Sequence, residues 1–489
     1  MRSAGILCHI SSLASPYGIG TLGKKAYEFV DFLEKAGQKW WQVLPVCPTS
    51  YGDSPYQSNS AFAGNPYFID LDILCEAGLL KKSEINNYFF GDDPEKVDYK
   101  LMFDYRYPLL RKAYARFEKS QEYFDFCDRN RFWLDDYALF MAIKEHNHYC
   151  SWLDWDADVR FCREDALNFY RDRLSRDIEF YYFLQFEFYR QWADLKRYAN
   201  ERGIGIIGDM PIYVALDSAE VWKSPWLFEL DENKLPRRVA GCPPDAFSDK
   251  GQLWGNPLYN WDLMREQGYD WWIKRLRLSF ELFDRVRIDH FRGFEAYYAI
   301  EYGRDDARVG VWEKGPGMAL FDAVRARLGN VGIIAEDLGF LTDDVHALLA
   351  NTGYPGMKVL QFAFNPYEDN MYLPHNYPRN CVAYTGTHDN DTFLGWFSAV
   401  KGEEKNFAAD YLGIKRKAAA PAAAIRALMA SPADTVIIPF QDYLGKGSES
   451  RMNTPSTTGG NWLYRMLPDE PDGALMREIR ELTNTFRRI

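Results

Sequence analysis

The sequence predicts an α/β fold organised as a (β/α)8 barrel with inserted helical and loop subdomains. Three observations carry this. The chain opens with a strand–helix–strand pattern, which calls for a parallel sheet. An apolar run ending in a carboxylate then recurs: Gly205-Ile206-Ile207-Gly208-Asp209, Val286-Arg287-Ile288-Asp289 and Ile333-Ile334-Ala335-Glu336. Acids at the C-terminal ends of parallel strands are where a barrel keeps its chemistry. Between these halves, residues 101–199 are helical in pattern, dense in Tyr, Phe, Trp, Arg and Asp, and show no convincing strand. A doubly wound sheet also binds ligands at strand C-termini. Against it, no GxGxxG follows the first strand and no P-loop lysine motif occurs.

Element by element, residues 5–10 read as a buried strand. A helix follows, with Ala26, Phe29, Val30 and Leu33 on one face and Gly37 as its stop. Residues 39–46 read as a second strand, closed by Pro45 and Pro48. Residues 50–66, rich in Gly, Ser, Asn, Pro and Tyr, form a long ordered loop. Loop and helical block together make one insertion over about 50–190, between early strands. Phe321, Val324 and Leu328 mark a helix ahead of Gly329. Val382-Ala383-Tyr384 is a further strand leading to Thr387-His388-Asp389, and the Ala-rich patch 418–424 is a helix. No repeat at solenoid periods is present.

Composition narrows the function. The 489 residues carry 58 basic and 70 acidic side chains, a net charge of −12. That argues against a nucleic-acid binder and against docking on an anionic membrane. No apolar run is long enough for a membrane span, and residues 4–10 are too short for a secretory signal. The eight cysteines form no CxxC pair and share no zinc-type spacing with His, so scattered reduced thiols in a cytoplasmic protein are expected. Aromatic residues reach 16%, which fits either a large core or platforms for the apolar faces of sugar rings.

The carboxylates each admit two readings. Arg287 and Asp289 are two apart in a strand and so face the same way. The guanidinium is expected to hold Asp289 ionised, as a carboxylate nucleophile requires; a purely structural ion pair fits the two residues equally. Glu336 at an apolar strand end suits a general acid whose pKa is raised by desolvation; Glu336 or Asp337 capping the next helix fits as well. In Thr387-His388-Asp389-Asn390-Asp391 the His can donate to a sugar hydroxyl and Asp389 can bridge two hydroxyls; a helix cap at Asn390 or Asp391, a metal site or a polar turn compete. Asp209 either binds substrate or shapes its turn, with the supporting role preferred. As a group, several acids at strand ends, one beside Arg and one beside His, match glycoside cleavage, which uses one carboxylate nucleophile and one proton donor. No GxSxG elbow is present.

Several longer motifs then carry a resemblance. They are Ser12-Leu13 with Tyr17-Gly18-Ile19-Gly20; Gly52-Asp53-Ser54-Pro55-Tyr56; Gly208-Asp209-Met210-Pro211-Ile212-Tyr213; and residues 241–257 (GCPPDAFSDKGQLWGNP). The remainder are residues 287–293 (RIDHFRG), 336–339 (EDLG), 386–391 (GTHDND), 451–455, and Gly460-Asn461-Trp462. The sequence resembles the 4-α-glucanotransferases (amylomaltases or disproportionating enzymes) of glycoside hydrolase family 77, over essentially its whole length.

The resemblance implies one elaborated catalytic barrel over 1–489 and a retaining double displacement needing no cofactor or metal. It implies Asp289 as nucleophile, Glu336 as general acid/base and Asp389 as transition-state stabiliser, with Arg287 and His388 beside the reacting sugar. Substrate contacts are implied at Tyr56, Asp209, Asp245, Phe247, Trp254, His290 and Asn461. Residues 245–254 look like the family's loop over the acceptor sites, within an inserted substrate-loop region over about 215–262. Partners implied are maltooligosaccharides, starch- or glycogen-derived glucans, and glucose as acceptor. Two departures stand out: Ser456 where relatives often carry Gly, and Cys242 where Val is common. A glucan hydrolase using the same acids, a non-catalytic glucan binder and a phosphate-handling barrel enzyme are the competing readings.

Overall fold

The computed structural model describes residues 2–50, 52–244, 248–339 and 341–489. Eight parallel strands follow in chain order: β1 (Ser3–Leu7), β2 (Trp40–Gln42), β3 (Gly205–Met210), β4 (Arg285–Ile288), β5 (Ile333–Ala335), β6 (Gly356–Val359), β7 (Cys381–Tyr384) and β8 (Thr435–Pro439). Their spatial order is β6-β7-β8-β1-β2-β3-β4-β5, every neighbour parallel. The cylinder closes between β5 and β6, where the Ala335 N–H donates to the Pro355 carbonyl at 2.9 Å.

Period-two alternation sorts the side chains. Leu7, Ile207, Ile334, Met357, Val382, Tyr384 and Ile437 point inward and pack as one cluster with Leu44, capped by Met452, Trp462 and Tyr464. Ile206, Val286, Ile288, Ile333 and Ala335 belong to the outer core beneath the helices. Gly5 sits where a Cβ would lie 2.5 Å from the Cβ of Trp40 and 2.8 Å from Ile437 Cδ1, so only glycine fits that layer.

The helices α1 (Lys24–Lys35), α2 (Ser175–Glu201), α3 (Asp270–Leu282), α4 (Met318–Leu328), α5 (Asp343–Thr352), α6 (Ala420–Ala430) and α7 (Gly473–Thr485) surround the strands. Between β6 and β7 only short 3-10 turns occur, at Leu360–Phe362 and Pro374–Asn376. The insertion after β2 is helical, as expected, and contains Tyr99–Tyr114 and Gln121–His146. Its expected end near 190 falls inside α2, which runs unbroken from Ser175 to Glu201, so insertion and barrel share one helix. Aromatic rings fill that seam: Phe186 meets Phe117, Tyr123 and Phe126 at 5.5–5.8 Å between centroids. Trp41, Trp152, Trp192, Trp222 and Trp272 are fully buried, so much of the aromatic excess serves the core.

An unexpected second sheet sits beside the barrel mouth. Arg238–Cys242 and Gln252–Pro257, from the β3–β4 connection, join Ala296–Glu301 and Val311–Lys314, from the β4–β5 connection, in a four-stranded antiparallel sheet. Among the described residues, no helix is long and apolar enough to cross a membrane.

Candidate active site

Strand register assembles the centre. Asp209 on β3 and Arg287 on β4 are direct partners across a parallel pair, so both side chains enter the barrel. Arg287 Nη1 donates to both Asp209 oxygens, at 2.8 and 2.7 Å, and Nη2 donates to Asp289 Oδ1 at 2.9 Å. The side chains of Asp209 and Arg287 are 0% and 3% exposed, whereas Asp289 keeps 30%. Asp209 is fully covered and bonded to Arg287, which fits the supporting role preferred for it from the sequence over a substrate contact. Its second partner is Tyr56, whose hydroxyl donates to Oδ2 at 2.9 Å.

Glu336 follows β5 at the rim. Its oxygens accept from the backbone N–H of His290 at 2.7 Å and of Leu338 at 3.0 Å. Burial, with repulsion from Asp289 second, lifts its carboxyl to about 8. Helix α5 is preceded instead by Thr342, so neither Glu336 nor Asp337 caps it. Asp337 reaches across the barrel's closing seam, accepting from the Met357 N–H.

The expected depression of Asp289 is corrected. Its carboxyl sits above the usual value because burial outweighs the pull of Arg287, and Asp209 and Asp389 add repulsion. Burial is the main reason, and the offset from Arg287 is limited because one guanidinium faces two carboxylates, with Asp209 holding the larger share of its bonds.

His388 and Asp389 extend from the loop after β7. The Tyr56 and His388 rings stack at 5.0 Å and 15°, with Trp462 tilted against both at 5.7 and 5.8 Å. His388 Nε2 lies 3.3 Å from Asp389 Oδ1. The following helix, Phe393–Ala399, is capped by Thr392; Asn390 instead accepts from the Thr387 N–H at 2.8 Å within the turn.

Trp254, on the second sheet, meets His290 edge to face at 4.7 Å. His290 is held neutral: burial and nearby Arg292 lower its pKa to about 3. Its left-handed backbone (φ 52°) turns its N–H toward Glu336. Asn461 is committed to its own turn, accepting from the Thr454 N–H at 3.0 Å and donating to Thr457 Oγ1 at 3.1 Å. Asp245 and Phe247 lie outside the described residues. Among the described residues, no group of three or more His, Cys, Asp or Glu side chains is placed to hold a metal ion. The residue whose contact to the site carried no expectation is Asn453, which donates to Asp389 at 2.6 Å; the motif at 451–455 was the available signal.

Comparison with known proteins matches this arrangement to one family. The family model described as 4-alpha-glucanotransferase (glycoside hydrolase family 77) matches residues 8–469. The chain belongs to that family. A 4-alpha-glucanotransferase of Clostridium butyricum is 50% identical over 98% of this chain and 99% of its own. One from Thermus thermophilus is 47% identical over 99% of both. Among solved structures, an amylomaltase from Streptococcus agalactiae in complex with acarbose superposes with a TM-score of 0.97 at 44% identity, covering both chains fully. The amylomaltase of Corynebacterium glutamicum, 19% identical, shares the fold at a TM-score of 0.79, with 74% of its chain covered. The 4-alpha-glucanotransferase barrel thus brings Asp209, Arg287, Asp289, Glu336, His388 and Asp389 to one mouth.

Proposed function

We propose that this chain transfers a 4-α-glucan segment from one α-1,4-glucan to the 4-hydroxyl of another, or to glucose, by a retaining double displacement. The observation that carries the reading is the division of labour between two facing carboxyl groups. Asp289 is bonded to a guanidinium, and Glu336 is pushed to about 8. The bond from Arg287 favours the charged form of Asp289, and burial favours the protonated form of Glu336.

In that state Asp289 attacks the anomeric carbon while Glu336 protonates the departing glycosidic oxygen. The glucan is then held covalently with inverted configuration. Glu336, now ionised, takes the proton from the incoming 4-hydroxyl, and the second inversion restores the α bond. One α-1,4 bond replaces another, so the exchange is nearly isoenergetic. His388 and Asp389 address the sugar's hydroxyls, Arg287 fixes the nucleophile, and Tyr56 and Trp254 offer ring faces to sugars. The inserted region over about 215–262 belongs to the acceptor side and excludes water there. Linear maltooligosaccharides, starch- or glycogen-derived glucans and glucose are the partners. No disulfide joins cysteines among the described residues, which supports residence in the reducing cytoplasm.

Incubation with maltotriose alone tests the reading. The expected products are glucose and a ladder of longer maltooligosaccharides with the number of reducing ends constant. Rising reducing ends without longer products would make the chain a hydrolase instead.

A further inference from the structure

The segment just after β8 grips the loop after β7 at three points. The Asn453 backbone N–H donates to the His388 carbonyl at 3.1 Å. Arg451 Nη2 donates to the Asp389 carbonyl at 2.6 Å. The Asn453 side-chain Nδ2 donates to Asp389 Oδ1, also at 2.6 Å. Arg451 locks the grip from behind, its Nε donating to the Asn453 carbonyl at 2.7 Å. The backbone of the loop and the carboxylate it carries are thus held by one stretch of three residues.

The carboxylate itself is unevenly occupied. Oδ1 takes the amide of Asn453 and faces His388 Nε2 at 3.3 Å. Oδ2 has no protein partner among the described residues, and the side chain is 42% exposed. An ionised carboxylate only accepts, so the amide must present its NH2 group, which fixes the orientation of Asn453 as well. A carboxylate held at one oxygen by a charge-assisted bond cannot rotate freely, which leaves the other oxygen available to an incoming hydroxyl.

We infer that Asn453 is the positioning residue for Asp389: it engages Oδ1 and so reserves Oδ2 for the hydroxyls of the reacting sugar. This rests on the transferase reading above. A group that strengthens its hold as charge develops needs fixed geometry before the transition state, because reorienting it then costs activation energy. Asn453 supplies that geometry without touching the sugar. The bond is therefore felt in kcat, while ground-state binding, spread over many contacts, is little changed.

Asn453→Ala and the isosteric Asn453→Asp, assayed with maltotriose, test the inference. For N453A the expected result is a fall in kcat of about 10- to 100-fold, the range for losing a hydrogen bond to a charged group, with KM within about twofold. N453D fills the same volume but sets carboxylate against carboxylate, so its kcat falls further at an unchanged KM. The unfolding midpoints of both stay close to that of the parent. Equal losses in the two variants, or losses that follow lowered unfolding midpoints, would reduce Asn453 to a structural residue and overturn the inference. A kcat within twofold of the parent in N453A would do the same. If the parent itself makes no ladder from maltotriose, it is the transferase reading that fails.

Discussion

Arg287 and Asp209, register partners on adjacent strands, form a sealed two-oxygen ion pair at 2.8 and 2.7 Å. The same guanidinium gives its remaining arm to Asp289, the proposed nucleophile. Desolvating both charges is costly, and the bidentate geometry offsets that cost. Removing the Asp209 charge leaves Arg287 buried with a single carboxylate bond, to Asp289.

Asp209→Asn, which keeps the shape and removes the charge, is therefore expected to lower folding stability by about 3 kcal/mol or more. It should also impair transfer, since Arg287 loses its anchor. Denaturant unfolding checks this. A stability within about 0.5 kcal/mol of the parent would show that the pair does not matter to the fold.

Asp289→Asn is expected to abolish transfer while the barrel stays folded. Asp289 is partly exposed and its charge is not needed to compensate Arg287, which keeps Asp209. Loss should exceed about 1000-fold in kcat, since the covalent step is removed outright. Ordinary activity in this variant would refute the nucleophile assignment.

Glu336 gives a pH signature. Its native pKa, about 8, lies above the ordinary 4.5. The folded protein then holds this proton more tightly than the unfolded chain. The resulting stabilisation is complete below about pH 4.5 and is lost as pH rises through about 8. Glu336→Gln removes the dependence, so the variant should be more stable than the parent at pH 8, on the order of 1–3 kcal/mol, and equal to it near pH 4.5. Parallel thermal melts at the two pH values decide. In the parent, kcat should decline above pH 8 as the donor loses its proton.

Ser456 adopts a left-handed backbone, φ 62°. That conformation is strained for any residue with a Cβ, so glycine suits the position better. Ser456→Gly is expected to raise stability by about 0.5–1 kcal/mol, with transfer unchanged because the hydroxyl makes no contact with the acids. A lower melting temperature would show that the hydroxyl, not the backbone, governs the site.

The sequence alone determined the barrel's rhythm and its acids. Six of the eight strands stand out because each is an apolar run, and three of them end in a carboxylate. The strands Gly356–Val359 and Thr435–Pro439 did not stand out: neither ends in an acid, and the first contains Lys358. That Asp209, Asp289 and Glu336 stand at or just past strand ends was legible because an apolar run followed by an acid needs no long-range information; the roles proposed for Asp289, Glu336 and Asp389 came from the family motifs around them.

What required tertiary structure was every relation between distant segments. The second sheet joins strands from two separate connections. Asp209 and Tyr56, 153 positions apart, meet only through folding. So do Asn453 and Asp389, 64 positions apart. The direction of the Asp289 shift was the sharpest difference. Adjacency in sequence puts Arg287 beside Asp289, but the register places Asp209 on the same guanidinium, and the fold seals that pair and covers most of Asp289. Local spacing fixes which groups face one way; the competition between burial and shared charge is decided only by what the fold packs around them.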